Sequence, residues 1–210
     1  MNEKIEAIIF DLGGVLLNLN YNLTVEAFNQ IGNVNFNEVY SQAAQSELFD
    51  QLETGKISPA EFRAEVNKLY NESWSDDIID GAWNAMLLDL PPSRIEFLKQ
   101  LKSQFKIFLF SNTNAIHYQH FTKEIEATFG DANLLDRLFI KAHYSHILGK
   151  RKPHPSSFQH LLDLHDLTAE RTLFIDDSIQ HIEGANSIGL QTIHLTNGDV
   201  ESTLNNFLQL

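Results

Sequence analysis

The chain of 210 residues contains no cysteine, which excludes disulfides, thiolate-ligated zinc and a cysteine nucleophile. No stretch approaches the ~20 apolar residues of a membrane span. The opening MNEKIEAIIF also lacks the long apolar segment and small-residue cleavage site of a secretory leader. Positive charge is scarce: 15 Lys and Arg stand against 28 Asp and Glu, a formal net charge of −13. Nucleic acids and anionic membranes are bound mainly through clustered cations, so neither is an expected partner. Internal repeats and low-complexity tracts are missing as well. What remains by default is a soluble cytoplasmic protein, with enough hydrophobic residues (43 %) to bury a core. At roughly 100 to 200 residues per domain, the length fits one domain carrying at most a modest insertion.

Two kinds of segment alternate along the chain. Apolar runs rich in Ile, Phe and Leu read as buried strands: IEAIIF ending at Phe10, KIFLF ending at Phe110, RLFI around Leu138, TLFI ending at Ile175 and QTIHL ending at Leu195. Between them lie helical spacings such as Phe97, Leu98 and Leu101, or Phe158, Leu161, Leu162 and Leu164. This alternation predicts a Rossmann-like parallel sheet covered on both faces. Residues 16–91 break the rhythm with several helical patterns and no strand. They predict a small helical bundle inserted after the first strand, with residues 1–15 and 92–210 forming the α/β core. Its helix starts are legible: Ser58-Pro59-Ala60-Glu61 has the pattern of a capping box, and Ser75-Asp76-Asp77 sets a cap and two acids before Ile78. Pro91-Pro92 ends the insertion, and the segment after Asn197 reads as a closing amphipathic helix.

Three strand runs end in polar residues: Asp11-Leu12-Gly13-Gly14, Ser111-Asn112-Thr113 and Asp176-Asp177-Ser178. In a parallel sheet the strand C-termini share one edge, where ligands of open α/β sheets bind. Three carboxylates meeting there repel one another, and a bound divalent cation relieves them. An all-oxygen donor set suits Mg²⁺. Gly149-Lys150-Arg151-Lys152-Pro153 adds a compact basic group, and Lys152, held extended by the following proline, can point inward. A cation, the Ser111 hydroxyl and a metal together make a pocket for phosphate. Each fragment alone has a plainer reading: a strand and turn for Asp11 to Gly14, helix capping for Asp176 to Ser178, a solvated lysine for Lys152.

In order and approximate spacing, Asp11 after IIF, Ser111 after FLF, Lys152-Pro153 and Asp176-Asp177 after LFI resemble the four motifs of the haloacid dehalogenase-like hydrolase superfamily. The resemblance spans essentially the whole chain. FDLGGVL, FSNTN, GKRKP and FIDDSIQHIEGANSIGL are similar to the subgroup that contains the bacterial glucose-1-phosphate phosphatase, whose helical cap occupies the place of residues 16–91. The resemblance implies a Mg²⁺-dependent phosphatase acting on a small phosphorylated metabolite, a sugar phosphate first, as a monomer or homodimer. It makes Asp11 the nucleophile that forms an aspartyl-phosphate. Ser111 and Asn112 would hold phosphoryl oxygens, and Lys152 would bind substrate and position Asp11. The metal ligands would be Asp11, the Gly13 carbonyl and Asp177, with Asp176 acting directly or through a metal-bound water.

One position departs from most phosphatases of that superfamily, which carry a second Asp two residues after the nucleophile as general acid/base; here it is Gly13. General acid/base catalysis is worth roughly 10²–10⁴-fold, so the glycine predicts a slower enzyme or one that prefers good leaving groups. His117 and a metal-bound water are candidate substitute donors. The alternative reading is a phosphate-binding pseudoenzyme that regulates a partner, and a metal-free dehalogenase is a third. Asn18, Asn20 and Tyr21 are candidates for substrate contact. Trp74, Trp83 and Phe49 read as core of the insertion, and Glu183-Gly184-Ala185 as a site of close helix-to-sheet packing. His143 and His146 lack a third zinc ligand, and His154, His160, His165 and His181 read as surface or helix-end residues.

Overall fold

The structure, a computed structural model, describes residues 4–32, 35–36 and 47–209. Five strands form one parallel sheet in the order β3-β2-β1-β4-β5: β1 Ala7–Phe10, β2 Lys106–Ser111, β3 Lys141–Tyr144, β4 Thr172–Asp176 and β5 Gln191–His194. β1 is central, and its residues Ala7 to Phe10 pair with Lys106 to Leu109 on one side and Thr172 to Ile175 on the other.

The sheet side chains alternate between two packed layers. Ile8, Phe10, Ile107, Leu109, Leu173 and Ile175 face a layer that includes α5 (Pro92–Leu101), α6 (Ala115–Phe129), α7 (Leu134–Leu138) and α11 (Val200–Leu208). Ile9, Phe108, Phe110 and Phe174 face the other, which holds α9 (Pro155–Leu164) and α10 (Ile179–Asn186). Because both faces are covered, the central strands are apolar throughout, which is why their sequences read as runs.

The third expected strand is displaced. The run around Leu138 is the end of helix α7, which buries Leu135 and Leu138, three positions apart, on one face. Pairing with β2 starts only where Ile140 N–H donates to Ile107 O (2.9 Å), and β3 is Lys-Ala-His-Tyr. An edge strand satisfies one flank only and tolerates an exposed Lys141, so it lacks the apolar signature of its neighbours.

Among the described residues between β1 and β2, four helices precede α5: α1 Tyr21–Ile31, α2 Leu48–Glu53, α3 Pro59–Tyr70 and α4 Asp76–Asn84. Ser58 and Glu61 form the expected capping box of α3, whereas Ser75 makes no side-chain cap to α4. A separate hydrophobic cluster joins these helices through Phe28, Phe62, Tyr70, Ile79 and Trp83, and reaches the sheet layer at Ile116. Arg63 binds Asp80 with two hydrogen bonds and also Asp76, tying α3 to α4. The segments entering and leaving this region run side by side, with Asn18 N–H on Asp89 O and Leu88 N–H on Asn18 O. Arg94 anchors the first of them by donating to Leu16 O and Asn18 Oδ1, and its other nitrogen donates to Gly198 O. No described helix is long and apolar enough to cross a membrane.

Candidate active site

Asp11 directly follows β1, Ser111 and Asp176 are the last residues of β2 and β4, and Lys152 lies in the loop before α9. The parallel register brings these strand ends to one edge. Lys152 is fully buried, its Nζ 2.8 Å from Asp11 Oδ1 and 2.6 Å from Asp176 Oδ2. Burial alone would discharge the ammonium, but the two carboxylates outweigh it and hold Lys152 charged. Phe110 and Phe174 place their rings 5.6 and 5.4 Å from Nζ.

The position of Lys152 is set by Asn112. The Asn112 amide accepts from Lys152 N–H (2.9 Å) and donates to Lys152 O (2.9 Å), lacing the loop after β2 to the loop before α9. That engages the Asn112 side chain structurally. Ser145 Oγ holds the next residue, accepting from Thr113 N–H and donating to Thr113 O. Buried Ser111 places its hydroxyl beside this loop with only a long 3.5 Å contact to Asn112 O.

Asp176 accepts from Lys152, from Ser178 N–H (2.8 Å) and from His181 Nδ1 (2.9 and 3.0 Å). Burial raises its carboxyl, yet Lys152 and His181 prevail and hold it below the ordinary carboxylate range. Asp11 accepts Leu12 N–H at 2.7 Å, while burial and then the charge of Asp176 push its carboxyl up against the pull of Lys152. Asp177 is also raised, by burial and by Asp176. Three carboxyls thus face one ammonium. Such an oxygen-rich set with surplus negative charge fits Mg²⁺. Ligand atoms of Asp11, Asp176 and His181 lie within 4.8 Å of one another. His181, read from sequence as a surface or helix-end residue, stands in the first turn of α10 and orients Asp176; a hard cation prefers the carboxylate oxygens to imidazole. Gly14 adopts φ +74°, and a Cβ there would lie 2.1 Å from Asp177 Oδ2, so only glycine lets this turn pass against the Asp177 carboxylate.

A cavity of about 460 Å³ opens between the edge and helices α1, α2 and α4. Its wall includes Gly13, Ser111 and Asn112 of the strand-end loops and Tyr21, Phe49, Glu53, Trp83 and Arg151. Trp83 and Phe49, read from sequence as core, are both core and wall: their rings stack 5.4 Å apart. Trp83 Nε1–H is buried with no hydrogen-bond partner among the described residues. Trp74 belongs to the cluster and not to the wall. Of the candidates for substrate contact, Tyr21 lines the cavity, whereas Asn18 bonds Asp89 and Arg94 and Asn20 caps α1. His117 is buried with one nitrogen on Trp83 O and the other on Asn114, and burial lowers it to about 4. Both nitrogens are occupied, which disfavours it as a proton donor.

One wall residue, Glu53, escapes sequence reasoning, and a second, Arg151, is legible only as part of the basic group. Arg151 pairs with Asp50 and Glu53 of α2, joining the Lys152 loop to the inserted helices. Glu53 gives no signal, since an acid three positions from Asp50 on a helix is the pattern of a solvated face. His143 Nε2 and His165 Nε2 contact each other at 2.8 Å. Gly184 packs closely as expected, but against the Pro153 carbonyl, which its Cβ would meet at 2.0 Å.

The family model for haloacid dehalogenase-like hydrolases matches residues 5–189. D-ribitol-5-phosphate phosphatase of Bacteroides thetaiotaomicron is 27 % identical over 197 residues, covering 92 % of this chain and 93 % of its own. A HAD family enzyme of the same organism, solved with magnesium and inorganic phosphate, is similar at 33 % identity and TM-score 0.84, with 95 % and 98 % of the chains covered. A HAD-like family hydrolase of Porphyromonas gingivalis superposes with TM-score 0.86 at 28 % identity over 98 % of each chain.

Proposed function

The chain belongs to the haloacid dehalogenase-like hydrolases, and from that premise we propose that it is a Mg²⁺-dependent phosphatase of a small phosphorylated metabolite, with Asp11 as nucleophile. The observation that carries this reading is the buried Asp11–Lys152–Asp176 cluster, whose chain neighbours Leu12 and Arg151 line a cavity large enough for a sugar-sized leaving group. The relative that acts on D-ribitol 5-phosphate and the similar enzyme solved with magnesium and phosphate support it.

Asp11, Asp176, Asp177 and the Gly13 carbonyl would hold the metal, which when bound supplies positive charge against the phosphoryl oxygens and the crowded carboxylates. Lys152 adds a fixed cation and orients the Asp11 oxygen through its 2.8 Å contact. Ser111 Oγ and the Asn112 backbone N–H donate to the phosphoryl group. Asp11 then attacks phosphorus in line, and water hydrolyses the aspartyl-phosphate. Residues 16–91 act as a cap that excludes bulk water, with Arg151 drawing α2 toward the Lys152 loop.

The test is hydrolysis of p-nitrophenyl phosphate by wild-type protein with Mg²⁺, by the same protein with EDTA, and by Asp11→Asn. Turnover is expected only in the first. A wild-type protein that binds phosphate without turning it over would instead favour the regulatory pseudoenzyme.

A further inference from the structure

An ester of an ordinary alcohol leaves as an alkoxide unless a proton reaches its bridging oxygen, so a phosphatase working near neutral pH needs a donor in the cavity. Gly13 offers no side chain for this. His117 has both ring nitrogens engaged, and Tyr21 is pushed above the usual phenol range by burial and by Asp177.

The remaining wall carboxyl with a favourable environment is Glu53, the last residue of α2. It lines the same cavity as Gly13, Ser111 and Asn112. Arg151 Nε stands 3.0 Å from Glu53 Oε2 but off the direction of a hydrogen bond, and the same guanidinium also pairs with Asp50. Among the described residues this cation is thus divided between two carboxyls, leaving room for a proton on one of them. Around Glu53 stand Glu47 and Asp50 beside it in the chain, Arg151 and Lys152 from the loop before α9, Tyr21 from α1, and His146 from α8 (Ser145–Leu148) packed against α2. Burial, opposed by Lys152, pushes the Glu53 carboxyl up to about 7. A carboxyl poised there serves as acid in one half-reaction and base in the next.

Resting on the phosphatase reading above, we propose that Glu53 is the general acid and base that Gly13 cannot be. As Asp11 Oδ bonds to phosphorus, the P–O bond to the leaving group breaks, its electron pair stays on the oxygen, and that oxygen takes the Glu53 proton. Glu53 carboxylate then takes a proton from water as the water oxygen bonds to phosphorus and the Asp11–phosphorus bond breaks. The products are an alcohol and inorganic phosphate, with Asp11 ionised and Glu53 protonated as at the start.

The experiment compares wild type with Glu53→Gln on two substrates of matched shape, p-nitrophenyl phosphate and phenyl phosphate, whose leaving groups differ in their need for a proton. The expected result is a loss of roughly 10²–10³-fold in kcat/KM for phenyl phosphate and less than tenfold for p-nitrophenyl phosphate. Wild-type activity on phenyl phosphate is expected to fall as pH rises through about 7, the range of the Glu53 carboxyl, and Glu53→Gln to lack that limb. Equal losses on both substrates, or none, would overturn the assignment. Should Glu53→Gln fail to fold, wild type alone decides across a series of substituted phenyl phosphates: rates nearly independent of the leaving group support a proton donor, and a steep dependence refutes one. A wild type that hydrolyses no member of the series overturns the phosphatase reading itself, and the assignment of Glu53 with it.

Discussion

Lys152 concentrates the energetics of the site in one side chain. An ammonium with no exposure is tolerated because two buried carboxylates contact it, and each is tolerated because the ammonium is there. Removing the cation strands two like charges in a dry environment. Lys152→Ala is therefore expected to cost about 3–5 kcal/mol in urea unfolding, as for other broken buried pairs, besides abolishing turnover. Lysine before proline was legible as an inward-pointing candidate. Its two hydrogen bonds to Asn112 were not, because they join positions 40 residues apart.

At the level of elements, the edge strand β3 is fastened to the end of α9 by a pair of imidazoles. His143 Nε2 and His165 Nε2 are 2.8 Å apart, so one must be neutral for the contact to exist. Burial, then His165, lowers His143 to about 4. Its folded value is below the ordinary ~6.5, so the unfolded chain binds more protons between those limits and stability falls as pH drops from about 6.5 to 4. Buried His117 acts with the same sign. The expected loss from His143 is about 1–3 kcal/mol, measured as urea midpoints at pH 7 and pH 4.5, and His143→Gln should flatten that part of the dependence. On the other face, α10 approaches the Lys152 loop through Gly184. Gly184→Ala puts a Cβ onto the Pro153 carbonyl; the loop must shift, and a lowered melting temperature with reduced turnover is expected. The glycine could be read as a packing site, but its partner is a loop rather than the sheet, a distinction local sequence does not carry.

Over the whole molecule, the two sheet layers and the cluster of the inserted helices are joined by the paired segments at 16–20 and 86–90 and by Arg94. Arg94 donates to Leu16 O, Asn18 Oδ1 and Gly198 O. Arg94→Ala leaves these acceptors without their donor and is expected to destabilise by about 1–3 kcal/mol. Amide exchange should quicken in residues 16–20 and 86–90 before it does in β1 and β4, because those segments lose an anchor while the sheet ladder is untouched.

The sequence by itself determined the strand–helix alternation, four of the five strands, the helix starts at Ser58 and Pro92, and the residues gathered at the strand ends. These depend on periodicity and local caps, which act within a few positions. The third strand was not legible, since an edge strand of Lys-Ala-His-Tyr needs no apolar run and the apolar run nearby serves a helix. Only the tertiary structure decided that His181 braces Asp176, that Gly14 makes room for Asp177, and that Arg151 meets Asp50 and Glu53. Each is a contact between distant positions whose residue types look ordinary in isolation, and burial in the folded chain is what turns those ordinary charges into a site.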